Sequence, residues 1–478
     1  MSQSLFFYDL ETSGVNPRSS RVMQFAGQRT DMNLQPIGDP QNHLIKLADD
    51  TLPEPDAIMI TGITPQQVSA DGMTEKEFLD IFHDQIAKPG TVFVGFNSVR
   101  FDDEFMRYMQ YRNFHDPYEW QWKDDRSRWD LLDVMRMTRA LRPEGIKWPV
   151  DVNGKATNRL ELFTGINGLS HDNAHDALND VLATIAAARL IRDKQPKLFD
   201  YLLSLRSKQA VQKLVCGDQP FVYTSGKYAA EYEKTTVAFT LGENPKKQGV
   251  LVYDLRHDPT PFLAMKTTEL VEAWKWKRDR EDLPLPVKTL QFNRCPAVAP
   301  LGVLDDASRE RTSIDLATTQ KHLKILTSDS GFYDRLLQAL EVMNKDQQTR
   351  LVSADVDVDA QLYDGFIPDT DKTTSRAIRV ADPDELAEFA SKLHDARLKS
   401  LLPLYKARNY PASLTDEERA DWEAYRQRKL TAGGETSQLG RYMKRLAELA
   451  AMSHLSSEKR YLLEELQLYA ESIMPWSE

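Results

Sequence analysis

Only two cysteines, Cys216 and Cys295, occur in 478 residues, and they stand in unrelated contexts. So small a supply excludes a disulfide framework and a zinc motif, and it points to a reducing compartment, the cytoplasm. Long apolar runs are missing too. None approaches the ~18 residues that a membrane span needs, so no membrane association is expected. The opening MSQSLFFYDLE lacks a basic start, a long apolar stretch and a small-residue cleavage site, and no removable leader is expected. Positive charge is in deficit: 61 Lys and Arg face 72 Asp and Glu, for a formal net charge of −11. That balance argues against coating nucleic acid with the whole surface, while leaving room for a local basic channel. Neither an internal repeat nor a low-complexity tail is present. What remains is an ordinary globular composition, 41% hydrophobic and 28% charged, with length for roughly two to four domains.

Within this acidic chain, LFFYDLETSG (5–14) places Asp9 and Glu11 two residues apart at the end of an apolar run. Leu5–Tyr8 reads as a short buried strand and Thr12-Ser13-Gly14 as a turn. Side chains two apart on a strand share a face, so both carboxylates point the same way. Like charges beside a buried strand call for a cation between them, and hard divalent cations prefer carboxylate oxygens. The alternative on this stretch alone is an exposed strand end with both acids solvated.

Further acids occur in matching contexts. TVFVGFN (91–97) reads as a second buried strand ending in Asn97, and DDEFMRYMQYRNF (102–114) as a helix opening with Asp102 and Asp103. NAHDALNDVLATIAAARLIRDKQP (173–196) is an Ala-rich helical stretch stopped by Pro196, with His175 five residues before Asp180. Five helical residues turn about 500°, which places Asp180 on the helix and His175 in or near the preceding loop. Asp9, Glu11, Asp102 and Asp180 would bring four negative charges to one site, and two divalent ions would neutralise them. Such a pair, ~3.5–4 Å apart, suits in-line displacement at phosphorus. His175, whose pKa lies naturally near working pH, would take the proton of the attacking water. Read blandly, Asp180 caps or solvates a helix and His175 is a loop residue.

Texture divides the chain at 1–195, 196–350 and 351–478. The first part alternates strands and helices, the pattern of an α/β sheet. In the second, TTVAFTL (235–241), GVLVYDL (249–255) and PVKTLQF (286–292) look like short strands between Gly/Pro-rich turns, a β-rich domain. After the acidic SADVDVDA (353–360) helices dominate; Thr415 to Glu418 matches a capping box, and SSEKRYLLEELQLYAESI is amphipathic.

FYDLETSG, GFNSVRFDDEF and HDNAHDALNDVLAT resemble, in order and spacing, the three motifs of the DEDD exonucleases with a catalytic histidine. The five-residue step from His175 to Asp180 marks the histidine subgroup. Many members have three residues between the motif asparagine and aspartate, whereas Asn97 and Asp102 have four between them. Asp102 and Asp103 are therefore alternatives, and Asp102 is preferred because it follows Phe101 as in the family pattern. SRWDLLDVMR, LRPEGIKWP, FNRCP, VDAQLYDGF and KARNYP extend the similarity along the chain to the bacterial exonuclease I family.

This resemblance implies a ribonuclease H-like exonuclease domain, an SH3-like β-rich domain and an α-helical C-terminal domain. It implies 3′→5′ degradation of single-stranded DNA to 5′-mononucleotides in DNA repair and recombination. Asp9, Glu11, Asp102 and Asp180 would hold two Mg2+ ions, with Mn2+ able to substitute, and His175 would be the catalytic base. Glu11 and Arg159 would contact the bound nucleotide, and Arg142 would grip the acidic C-terminal tail of single-stranded-DNA-binding protein. The protein is expected to act as a monomer.

Single strands are held by aromatic stacking and cationic grooves. RYMQYRNFHDPYEWQWKDDRSRWD (107–130) interleaves Arg107, Arg112, Tyr118, Trp122 and Arg126, of which Arg107, Tyr118 and Trp122 are taken as strand-binding. AWKWKRDR (273–280) and LYKARNYP (404–411) are further basic-aromatic patches, although for each such residue a core aromatic or a solvated charge is the bland alternative. Two competing functions remain: a 3′→5′ exoribonuclease trimming RNA ends, and a non-catalytic nucleic-acid-binding scaffold with a nuclease fold. Retention of all five site residues argues against the scaffold.

Overall fold

The structure is a computed structural model that describes residues 3–169, 176–275, 282–351 and 356–474, without the side chains of 346–351. It divides into two compact units, one formed by the described parts of Met1–Ser127, Asp172–Leu182 and Val356–Glu478, the other by those of Arg128–His171 and Ala183–Asp355. No helix among the described residues is long and apolar enough to cross a membrane.

In the first unit, β1 (Ser4–Thr12) pairs antiparallel with β2 (Val22–Thr30), which pairs antiparallel with β3 (Gln41–Leu44). On its other edge β1 runs parallel to β4 (Thr91–Gly95), from Ser4 opposite Thr91 to Phe7 opposite Val94. Strand β1 is longer than its apolar run suggests. The ladder to β2 carries on through Asp9, opposite Ala26, and Glu11, opposite Gln24, before a bulge at Glu11/Thr12. The acids therefore lie within a strand, where the backbone fixes their direction. Phe6, Tyr8 and Leu10 face a core with Phe25, Phe78, Phe82, Phe93 and Trp120. Asp9 and Glu11 alternate to the opposite face.

The C-terminal helices of this unit bury apolar faces against the nuclease-side elements. Tyr442, Leu446, Leu463 and Leu466 cluster with Met23, Ile58 and Val68, while Leu362, Leu401 and Tyr405 cluster with Tyr108, Tyr111 and Phe114. Thr415 caps the helix Asp416–Thr431 by a capping box with Glu418.

The second unit begins within β5 (Ser127–Asp130), whose Asp130 caps the helix Leu131–Leu141 by accepting from Leu132 N (3.0 Å). Its antiparallel sheet comprises β6 (Phe221–Thr224), β7 (Thr235–Glu243), β8 (Gly249–Asp254), β9 (Val287–Gln291) and β10 (Ala297–Pro300), in the order β10-β6-β7-β8-β9. These include the strands expected from the sequence, and helices such as Leu316–Thr327 and Phe332–Leu351 interrupt or follow them.

Candidate metal and active site

Asp9 and Glu11 extend beyond the last residue pair between β1 and β4, because β4 has already left the sheet at Gly95. A Cβ at Gly95 would lie 2.4 Å from the Ser98 Cβ, so only glycine permits this tight exit. Asn97 then takes a left-handed conformation (φ 68°), one that asparagine tolerates better than most residues. Ser98 O accepts from Asp103 N (2.9 Å) and starts the helix Asp102–Arg112. On the third element, Asp180 N donates to Asp176 O (3.0 Å) in the first turn of the helix Ala177–Lys194.

Asp9, Glu11 and Asp180 each bring a carboxylate oxygen within 4.8 Å of the others. Burial, then Asp102, Glu11, Asp180 and Asp176, raise the Asp9 pKa well above the carboxylate range. Glu11 is pushed up to about 8 by burial, then by Asp180, Asp102 and Asp176. Crowded, mutually repelling carboxylates, of which Glu11 is buried and Asp9 and Asp180 are partly buried, form a set of hard oxygen donors that a divalent cation satisfies and a neutral ligand does not.

Asp102 lies outside the trio but is buried, and its charge acts on both Asp9 and Glu11. The neighbouring Asp103 is engaged elsewhere: it accepts from Tyr8 OH at 2.5 Å and acts on Arg107. Of the two alternatives, Asp102 is the one whose charge raises both Asp9 and Glu11. His175, the expected base, lies outside the described residues, as does the rest of 170–175.

Asp176 is a member that the sequence reading passed over. Its Oδ1 accepts from Asn179 N (3.1 Å), the bond of an N-cap, while its charge acts on Asp9 and Glu11. An aspartate just before an Ala-rich helical run was the available signal.

The strand-binding candidates separate by exposure. Tyr118 is 38% and Trp122 63% exposed. Arg107 is not presented to solvent: it is buried, pairs with Glu104 (2.6 Å), donates to Gln121 (3.0 Å) and lies over the Tyr118 ring. Beside it stands Tyr363, an aromatic not singled out before, and Phe366, three residues further along the chain, is fully exposed. Arg112 and Arg126 are structural, the first held by Glu75 (2.5 Å), the second by the Ala87 carbonyl (2.5 Å). LYKARNYP is likewise interior. Lys406 bonds Glu418 (2.8 Å) and Arg408 bonds Asp50 and Asp359. Of AWKWKRDR, residues 276–280 lie outside the described residues, and Lys275 pairs with Glu272.

Arg159 and Arg142 belong to the second unit. Arg159 is largely exposed at the start of the helix Leu160–Ile166, where it pairs with Glu161. Arg142 donates to Val303 O (2.8 Å) and pairs with Asp305 (3.2 Å).

Three family models match the chain: "Exonuclease" over residues 6–188, "Exonuclease I SH3-like domain" over 206–341 and "Exonuclease I C-terminal domain" over 356–473. The order is the one expected, a ribonuclease H-like exonuclease domain followed by SH3-like and C-terminal domains. Exodeoxyribonuclease I of Escherichia coli K12 is 38% identical over 99% of this chain and 98% of its own length. A moderately thermophilic exonuclease I from Methylocaldum szegediense superposes with a TM-score of 0.91 at 42% identity, covering 99% of this chain and 100% of that one. Two further exonuclease I structures, each covering 99% of this chain and 100% of its own, match at 36% identity. One, at TM-score 0.91, is a zinc-bound complex with single-stranded DNA; the other, at 0.89, contains SSB and an inhibitor. Matched along its whole length by family models, relatives and structures alike, this chain belongs to the exodeoxyribonuclease I family.

Proposed function

We propose that the chain is a metal-dependent 3′→5′ exonuclease that removes 5′-mononucleotides from single-stranded DNA, working in the cytoplasm in DNA repair and recombination. The observation that carries this reading is the trio of carboxylate oxygens from Asp9, Glu11 and Asp180 within 4.8 Å of one another. Asp9, Glu11, Asp102 and Asp180 would hold two divalent ions, Mg2+ with Mn2+ able to substitute. When bound, such ions supply an acidified water and neutralise charge developing at phosphorus.

The remaining work falls to the chain's own groups. His175 takes the proton of the attacking water, at a pH where imidazole can both accept and release it. Glu11 holds the terminal nucleotide, and the exposed Arg159 offers its guanidinium to a phosphate of the strand. Tyr118 and Trp122 offer ring faces on which unpaired bases stack, with Arg107 lying against one face of Tyr118. The protein works as a monomer, and its partner is the acidic C-terminal tail of SSB, with Arg142 as the gripping cation. That role requires Arg142 to exchange Asp305 for the tail's carboxylates.

The test is digestion of end-labelled single-stranded DNA and RNA, with and without Mg2+, by the wild type and by Asp9→Ala. Stepwise loss from the 3′ end of DNA, in Mg2+ only and in the wild type only, is expected. Equal digestion of RNA would make the protein a ribonuclease. Hydrolysis at a normal rate by Asp9→Ala would remove the carboxylate site from the mechanism.

A further inference from the structure

The metal trio is assembled from two elements, Asp9 and Glu11 on β1 and Asp180 on the helix Ala177–Lys194. Something must fix the start of that helix against the sheet. Directly opposite Glu11 in the β1–β2 ladder stands Gln24, only 4% exposed. Its Nε2 donates to Asn42 Oδ1 on β3 (3.0 Å) and to Asp176 Oδ2 (3.5 Å), and its Oε1 accepts from Ala177 N (3.3 Å). Ala177 N is one of the amides that a helix N-terminus leaves without an intrahelical partner. Asp176 caps the same turn through Asn179 N, and its carbonyl accepts from Asp180 N.

We infer that Gln24 is a positioning residue, a neutral clamp that ties the first turn of the Asp180 helix to the strand beside Glu11 and so sets the width of the metal site. The inference rests on the metal-site reading above. An amide suits the place for a chemical reason. It donates to Asp176 and accepts from Ala177 N at once, without adding charge among five acids. A carboxylate could not donate to Asp176, and an ammonium could not accept from the amide while it would neutralise charge meant for the metal. Asn42 orients the amide by accepting its second N–H.

The experiment measures Mn2+ binding directly, by the loss of the free-ion EPR signal, in wild type and Gln24→Met, alongside thermal melts in EDTA. Methionine keeps the side chain's length and removes all three hydrogen bonds. Mn2+ affinity should fall roughly 10–100-fold, the range for losing an outer partner of a metal ligand. Activity should recover as Mg2+ is raised, which a general folding defect would not allow. Unchanged Mn2+ affinity in Gln24→Met overturns the clamp and leaves the metal site standing. A wild type that binds no Mn2+ overturns the metal reading and the clamp with it. Should Gln24→Met fail to fold, Asn42→Ala, at an exposed position, removes the bond that orients the Gln24 amide. A smaller loss of affinity is expected there, and wild-type affinity overturns the inference.

Discussion

Consider Asp359→Asn. Asp359 is 2% exposed, and three cations converge on it: Arg21 at 2.6 Å, Arg408 at 2.7 Å and Lys429 at 3.4 Å. Arg408 and Lys429 also reach the fully buried Asp50, both at 2.6 Å. Two carboxylates thus serve three cations that are at most 10% exposed. Replacing Asp359 by an amide leaves Arg408 and Lys429 to share Asp50 and takes from Arg21 its partner at 2.6 Å. At an effective dielectric near 20, each charge pair is worth about 4 kcal/mol gross at ~4 Å. Desolvation offsets most of that in the intact network, so the difference to expect is the cost of stranding buried charge, about 3–5 kcal/mol. For a cooperative unit of this size that is roughly 6–10 °C in melting temperature, at about 2 °C per kcal/mol. The assay is a thermal and urea melt at neutral pH, with Asp56→Asn as control. Asp56 pairs with Arg445 at 2.7 Å, but both side chains are about half exposed, so its loss should stay within replicate scatter. If the two variants melt alike, the buried network does not hold the unit together.

The same network sets an acid limb. Burial would raise Asp359 and Asp50, but Arg408 first, with Arg21 and Lys429, holds both well below the carboxylate range. Between the unfolded pKa of about 3.9 and the lower folded value, the unfolded chain binds more protons, so stability falls as pH falls. The contribution is complete above about pH 5 and is lost progressively below pH 4. Asp359→Asn should flatten this limb as well as lower it.

Asp9→Asn should abolish hydrolysis yet raise the melting temperature in EDTA, because it removes one of several crowded acids; a lower metal-free melt would contradict the crowding described. His175→Ala should slow cleavage roughly 10²–10⁴-fold while DNA binding persists, and activity should recover as hydroxide replaces the base at high pH. A variant unable to bind DNA would give His175 a structural role instead. Trp122→Ala should weaken single-strand binding by roughly 1–3 kcal/mol with little change in the melt, whereas Arg107→Ala, truncating a buried ion pair, should lower the melt; the reverse pattern would misplace the stacking surface.

The residues legible in the sequence are those whose meaning is local. Asp9 and Glu11 share a strand face at i and i+2, and Asp180 follows from helical periodicity, so pattern alone brings them into view. Gln24 escaped because its role exists only in the register that sets it opposite Glu11 and beneath Ala177. The basic-aromatic stretches misled for a related reason. LYKARNYP displays a lysine, an arginine and two tyrosines, but not that Glu418, Asp50 and Asp359 neutralise the cations. A sequence shows a charge and hides its partner when the fold, not local spacing, brings the two together, as it does Arg408 and Asp50 across 358 positions. Tyr118 and Trp122 kept their exposure, Tyr118 with Arg107 against one face of its ring.

Strand β2 shows why the C-terminal helices belong in any account of the site. Arg21, just before it, enters the ionic network with Asp359 and Arg408, and Met23 packs with Leu446 and Leu466. Gln24, the next residue, alternates to the other face and holds the first turn of the Asp180 helix. The Asp102 helix is braced likewise, with Tyr108 and Tyr111 packed against Leu362, Leu401 and Tyr405. Two of the elements that assemble the carboxylates therefore have their outer faces buried by residues 356–474. Removing those helices would expose that apolar surface and strand Arg21 and Asp50 without their partners, so the carboxylate geometry depends on a segment that contributes none of the carboxylates. In this unit the catalytic and C-terminal parts share one stability.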